Sequence, residues 1–154
     1  MKRYATKDEL HAVLSEKELF VFDMDGTVYL GDRVFDFALA YIRKLRENGK
    51  RVLFFTNNAS RSCDVYYDRL RGMGFDPRNG EIMTAGDVTI AFLNRHRPGK
   101  TVYLIGTPQL EQSFRDGGIP LSDGKTADIV VSSFDMTLTY EKVNTGRIVP
   151  PVFK

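Results

Sequence analysis

Apolar residues along the chain gather in short blocks separated by stretches of helical spacing. Residues 18–22, 51–55, 82–84, 101–105 and 128–132 read as short buried strands. Between them, residues 8–15 set Leu10, Val13 and Leu14 at helical intervals, which predicts a short amphipathic helix packed beside the sheet. Residues 36–47 predict a second helix with Phe37, Ala40, Tyr41, Ile42 and Leu45 along one face and Asn48-Gly49 as its stop. Residues 62–72, 87–94 and 109–115 supply three more.

Strand, helix and strand in succession over residues 18–55 make a βαβ unit, whose right-handed crossover leaves the strands parallel. Their polar ends, Asp23 and Asp25 on one and Thr56 and Asn57 on the other, then emerge at the same sheet edge. Residues 28–35, V-Y-L-G-D-R-V-F, turn at Gly31-Asp32 and predict a small hairpin over that edge. The alternation restarts after Arg97-Pro98-Gly99, which sets the expected division into residues 1–98 and 99–154. Near the end, Thr139 opens a helix as N-cap, and Asn144-Thr145-Gly146 and then Pro150-Pro151 are expected to stop it at once.

Composition adds limits. With 22 basic and 20 acidic residues interspersed along 154, no broad basic face for nucleic acid is expected. Cys63 stands alone, so no intramolecular disulfide forms and a reducing compartment fits. The first ten residues carry charge with no apolar run behind them, and no window reaches the length of a membrane span. A cytoplasmic chain with no membrane partner is the expectation.

Chemistry concentrates in residues 20–27, F-V-F-D-M-D-G-T. D-x-D-G-T arises by chance in a chain this long with a probability of about 10⁻³. A strand delivering two carboxylates to its carboxyl end is where an open α/β sheet places its chemistry. After the turn at Gly26, Asp23 and Asp25 can share one small space, one ionised and one exchanging a proton. Such charge density suits a divalent cation, and carboxylate oxygens suit Mg²⁺.

D-M-D-G-T, then V-Y-L-G-D and T-N-N-A-S-R-S, resembles the haloacid dehalogenase superfamily and within it the NagD-like phosphatases. T-A-G-D, Y-L-I-G and T-L-T-Y-E-K resemble that family's later segments, so the likeness runs from about residue 19 to 142. The resemblance implies an α/β fold: a Rossmann-like parallel sheet with an inserted α/β cap, here both incomplete. It also implies Mg²⁺-dependent hydrolysis of a small phosphorylated metabolite. On it, Asp23 is the nucleophile that forms an aspartyl-phosphate, and Asp25 protonates the leaving alcohol and then activates water. Asp23 and the backbone carbonyl of Asp25 hold Mg²⁺. Thr56 binds a phosphoryl oxygen, Asn57 orients substrate, and Gly26 shapes the phosphate-binding turn.

The same family uses a later lysine and a later G-D-x-x-x-D-like motif. Gly31-Asp32 to Asp36 has the letters of the second in the hairpin position, and Gly86-Asp87 lacks the later acid, so neither is expected to replace it. The alternative reading is therefore a non-catalytic fragment or isoform of such a phosphatase. Sheet faces left without neighbours predict self-association.

Other signals have simpler readings. Cys63 and Arg69 share the C-x₅-R spacing of cysteine phosphatases, but helical periodicity runs through the interval and no glycine is present. Gly99-Lys100-Thr101 and Gly124-Lys125-Thr126 lack the first glycine of a P-loop. His11 and His96 are read as surface residues, Arg61 as a solvated charge, and Asn58 and Ser60 as turn and cap residues. Tyr66, Tyr67, Phe92 and Phe114 are read as core.

Overall fold

A computed structural model describes residues 6–148. Residues 1–5 of the charged opening segment, and Pro150 and Pro151, lie outside the described residues. Among them the order is α1 (Lys7–Ser15), β1 (Leu19–Asp23), β2 (Tyr29–Leu30), β3 (Arg33–Val34), α2 (Ala38–Glu47), β4 (Arg51–Thr56) and α3 (Cys63–Gly72). There follow β5 (Ile82–Thr84), α4 (Ala85–His96), β6 (Val102–Ile105), α5 (Pro108–Asp116), β7 (Ile129–Ser132) and α6 (Tyr140–Ile148).

The main sheet has the order β1-β4-β5 and is parallel throughout. β2 and β3 pair antiparallel, as the turn at Gly31-Asp32 predicts, and β6 and β7 form a second parallel pair. This is the expected α/β architecture of parallel strands joined by helices. No described helix is long and apolar enough to cross a membrane.

Two apolar clusters hold these layers. The first gathers Val28, Ile42, Phe54, Leu70, Phe75 and Ile82 around the main sheet, with Phe54 and Leu70 fully buried. The second gathers Val102, Leu104, Leu110, Phe114 and Ile119 around the β6–β7 pair and takes in Ala59 and Leu93 from earlier in the chain. α4 packs on both β5 and α5 and so belongs to the seam between the clusters.

Three local expectations need correction. α2 starts at Ala38, and its buried stripe is Ala38, Ile42 and Leu45, while Phe37 and Ala40 are exposed. Phe37 lies outside the helix and stacks on Phe35 at 6.2 Å, which removes it from the helical count. α6 runs straight through Asn144-Thr145-Gly146. Packing overrides the weak propensity there: a Cβ on Gly146 would meet Ile105 Cδ1 at 2.8 Å, so the bare glycine lets the helix lie against β6. Tyr103 adds a bond from its hydroxyl to the Lys142 carbonyl at 3.1 Å. Phe92 is 52% exposed and lies against the His96 ring at 4.8 Å, so it is a surface residue.

The predicted first helix forms, with Thr6 capping it through Glu9 N–H at 3.2 Å. It buries no side chain fully, and Lys50 Nζ donates to its last carbonyl, Ser15, at 2.6 Å.

Candidate active site

Parallel pairing fixes the geometry of the site. Asp23 pairs with Phe55, so Thr56 is the next residue along the neighbouring strand. Thr56 in turn pairs with Thr84 of β5. The carboxyl ends of three strands therefore form one polar rim.

Asp23 and Asp25 are exposed and Met24 between them is fully buried. This is strand alternation, with residues two apart on the same side, and it brings both acids together before the turn contributes. The turn is tight: Met24 O accepts from Thr27 N at 3.2 Å and Val28 N at 3.0 Å. Gly26 has φ of 85°, a left-handed value that favours glycine, and its N–H donates to Tyr29 O at 2.7 Å. Thr27 Oγ1 donates to Asp23 Oδ2 at 3.1 Å and orients that carboxylate.

A cleft of about 510 Å³ opens on this rim, and Asp23, Asp25, Thr56 and Asn57 all line it. Gly26 is not among the residues of the wall, and its N–H is engaged within the turn by Tyr29 O. Thr56 is buried and its hydroxyl accepts from Asn58 N–H at 3.1 Å. Asn58 Oδ1 accepts from Ser60 N–H at 3.0 Å and Ser60 Oγ at 2.6 Å, making the expected turn, while the N-cap position of α3 falls to Ser62. Thr107 Oγ1 donates to Ser60 O at 3.0 Å, fastening this turn to the start of α5.

Sequence reasoning missed several wall residues. Tyr29, Tyr66, Arg69, Phe134 and Met136 all line the cleft, and Arg61, read as a solvated charge, lines it as well. Two carboxylates thus face a space that also holds two guanidinium groups. Arg69 Nη2 donates to Gly31 O at 2.7 Å, and its guanidinium lies 5.1 Å from the Tyr29 ring centre, which pins the β2–β3 hairpin to α3. Burial raises the Tyr29 phenol above its ordinary value, Arg69 opposes this, and Asp25 and Asp23 add to it. Tyr66 is raised by burial, against the hydrogen bond with Thr56, and its hydroxyl donates to Asn58 O at 3.0 Å. Only the spacing of Tyr66 and Arg69 on α3, three apart and so on one face, was a signal for them.

The acids of the two Gly-Asp segments lie outside the cleft. Asp87 accepts from Thr84 N–H at 2.7 Å and Thr84 Oγ1 at 2.6 Å in a capping box, and from Cys63 Sγ at 3.1 Å. Asp32 lies on the hairpin near Arg69 at 3.5 Å. Cys63 begins α3, so no anion-cradling loop exists between it and Arg69. Burial first, then the Asp87 hydrogen bond, pushes its thiol up to about 12.

As to a metal, Asp23 and Asp25 are in no ion pair among the described residues, and no group of three or more His, Cys, Asp or Glu forms there that could hold one. Two carboxylates on an open cleft fit a hard cation that keeps several waters or phosphate oxygens, as Mg²⁺ does.

The haloacid dehalogenase-like hydrolase family pattern matches residues 20–120. An acid sugar phosphatase of Staphylococcus saprophyticus is 31% identical over 129 residues, covering 84% of this chain and 50% of the relative. A 4-nitrophenylphosphatase from Thermotoga maritima superposes with a TM-score of 0.82 at 39% identity, over 89% of this chain and 52% of that one. A glycerol phosphate phosphatase from Mycobacterium tuberculosis, crystallised with magnesium, gives 0.75 at 28% identity over 87% and 41%. The chain spans about half the length of the curated relatives it matches. With its aspartate pair, parallel strand ends and matched residues in agreement, the chain belongs to the haloacid dehalogenase-like hydrolases.

Proposed function

We propose that this chain carries the nucleophile, the acid–base group and the phosphoryl-binding strand end of a Mg²⁺-dependent phosphate-monoester hydrolase. The observation that carries this reading is the meeting of Asp23, Asp25, Thr56 and Asn57 on one cleft. The names of the relatives, an acid sugar phosphatase and a glycerol phosphate phosphatase, support a small phosphorylated metabolite as substrate. Residues 1–98 read as part of the catalytic core and 99–154 as part of a cap.

In this reading the Asp23 carboxylate attacks phosphorus while the ester P–O bond breaks. Asp25 gives its proton to the departing oxygen, and the alcohol leaves. Asp25, now ionised, takes a proton from water as that water attacks the aspartyl-phosphate, restoring Asp23 and freeing inorganic phosphate. Thr27 holds the attacking carboxylate in orientation through its 3.1 Å bond. The Thr56 hydroxyl and the Asn57 amide bind and orient the phosphoryl oxygens, and Arg61 and Arg69 add positive charge to the cleft. Asp23 and the Asp25 carbonyl would hold Mg²⁺, which when bound offsets negative charge on the phosphoryl group.

A second reading is a chain that binds the phosphoryl group without turning it over. It is favoured by a cleft whose lining, among the described residues, has two acids and no lysine. Hydrolysis of 4-nitrophenyl phosphate with and without Mg²⁺ separates the two. Metal-dependent turnover by the 154-residue chain supports the enzyme. Phosphate binding without turnover supports the second reading.

Leu19 and Val21, exposed on β1, which pairs only with β4 among the described strands, support self-association through that face. Sedimentation as a single monomer at every concentration would contradict it.

A further inference from the structure

A second cavity of about 300 Å³ adjoins the cleft, and Asn57 and Phe134 line both. The two spaces differ in chemistry. The cleft holds Asp23, Asp25, Arg61 and Arg69, whereas no Asp, Glu, Lys or Arg lines the second cavity. Ala59, Leu110, Phe114 and Val131 give it apolar walls, and Asn57, Thr89, Ser132 and Ser133 add uncharged polar groups. Small residues keep it open: a Cβ on Gly86 would meet Leu110 Cδ1 at 2.8 Å and Ala59 Cβ at 3.5 Å. The hydroxyl of Thr89 on its wall donates to Ala85 O at 2.7 Å and can still accept.

Phe134 stands between the two spaces and is 56% exposed, and Met136 beside it on the cleft wall is 68% exposed. Apolar side chains left open at a charged cleft gain most from an apolar surface laid against them. A phosphate monoester has the matching division: an anionic head that needs charge and hydrogen bonds, and an organic body that need not.

We infer, resting on the phosphatase reading above, that the uncharged cavity behind Phe134 is a subsite for the ester's organic body. It takes compact uncharged bodies, an aryl ring above all, over bodies that carry a second charge. A body carrying a second charged group would bring it to walls with no Lys, Arg, Asp or Glu to pair it, and an unpaired charge taken out of water is costly. An aryl ring would meet Phe134, Leu110 and Val131.

The test is equilibrium binding to the Mg²⁺-loaded chain of three probes that cannot be turned over: inorganic phosphate, 2-hydroxyethylphosphonate and phenylphosphonate. Phenylphosphonate binds at least about tenfold more tightly than the other two, from the apolar surface its ring buries. It alone shifts the methyl resonances of Leu110 and Val131. Ser133→Leu, which fills the cavity from the segment after β7, brings the three affinities within about twofold of one another, and Thr89→Leu does the same from α4. Equal affinities in the unmodified chain, unshifted Leu110 and Val131 methyls, or a preference that survives both folded variants would overturn the subsite. In those cases bound phosphate leaves the phosphatase reading standing. If no probe binds and no ester is hydrolysed, both readings fall.

Discussion

Asp23 and Thr56 stand one register step apart on adjacent parallel strands, because Asp23 pairs with Phe55. The proposed nucleophile and the hydroxyl proposed to bind the group it attacks are thus set by sheet register, with Thr56 buried and already accepting the Asn58 N–H at 3.1 Å. Thr56→Val keeps the shape and removes the hydroxyl, leaving that N–H without its acceptor. The expected stability loss is about 1–2 kcal/mol, read from denaturant melts. Affinity for inorganic phosphate falls about tenfold in the same variant, the worth of one charge-assisted hydrogen bond. Thr56→Ser retains both, and unchanged phosphate affinity in Thr56→Val would remove Thr56 from the site.

Arg69 fastens the hairpin above the cleft through Gly31 O and the Tyr29 ring. Arg69→Met keeps much of the side-chain volume and loses both contacts. Amide protection of the β2–β3 hairpin then drops, and global stability falls by about 1–2 kcal/mol. Hydrogen exchange by mass spectrometry reads this directly. Unchanged protection in the hairpin would mean that β2–β3 is held by its own strand pairing.

Cys63 is held protonated. Its pKa rises from 9.0 to about 12, so at pH 8 the thiolate is about a thousandfold scarcer than in an unperturbed cysteine. Alkylation by iodoacetamide is correspondingly slow in the folded chain and becomes fast in denaturant. The raised value binds a proton more tightly in the folded state, so its stabilising share is complete below pH 9 and declines as pH climbs toward 12. Rapid labelling of the folded chain at pH 8 contradicts this account.

Asp135 and Lys142 lock α6 onto the β6–β7 pair. Lys142 Nζ donates to Asp135 Oδ2 at 2.8 Å and to Gly106 O at 2.9 Å, with the Asp135 side chain only 1% exposed. Burial works to raise the Asp135 carboxyl, and the bonds from Lys142 and Thr137 outweigh it, leaving the group below its ordinary value. A depressed carboxyl stabilises the fold above its ordinary value and loses that share as pH falls through the folded one. Lys142→Met leaves the buried carboxylate with only its Thr137 bonds and costs about 1–2 kcal/mol at neutral pH. Lys142→Met also removes the lock's share of the acid-induced loss, so thermal melts across acidic pH compare the two chains. Parallel pH curves for the two would show that the pair carries no linkage.

The sequence makes the scaffold legible because its signals are local. R-V-L-F-F and F-V-F-D are short apolar runs with polar ends, and one intervening helix is enough to set them parallel with Asp23, Asp25, Thr56 and Asn57 at one edge. The rest of the cleft comes from distant segments. Arg69 and Tyr66 arrive from α3, and Phe134 and Met136 follow β7, more than a hundred residues after Asp23. No spacing rule links them, because tertiary packing of the second cluster brings them there. α6 shows the same limit: Asn144-Thr145-Gly146 reads as a break by propensity, yet Gly146 is what lets the helix approach Ile105. Gly86-Asp87 looks like part of a metal motif, and the structure uses Asp87 to cap α4 and to accept from Cys63.

The most direct measurement is to find where a phosphoryl group lands. Asp25→Asn can accept a phosphoryl group on Asp23 from an activated aryl ester and cannot use its side chain to activate the water that removes it. Incubated with Mg²⁺ and 4-nitrophenyl phosphate, then acid-quenched and mapped by peptide mass spectrometry, this variant is predicted to carry one phosphoryl group on the peptide containing Asp23. The Asp23→Asn, Asp25→Asn double variant carries none. A phosphoryl group on any other peptide, or equal labelling in the double variant, would contradict the assignment of Asp23 as the nucleophile.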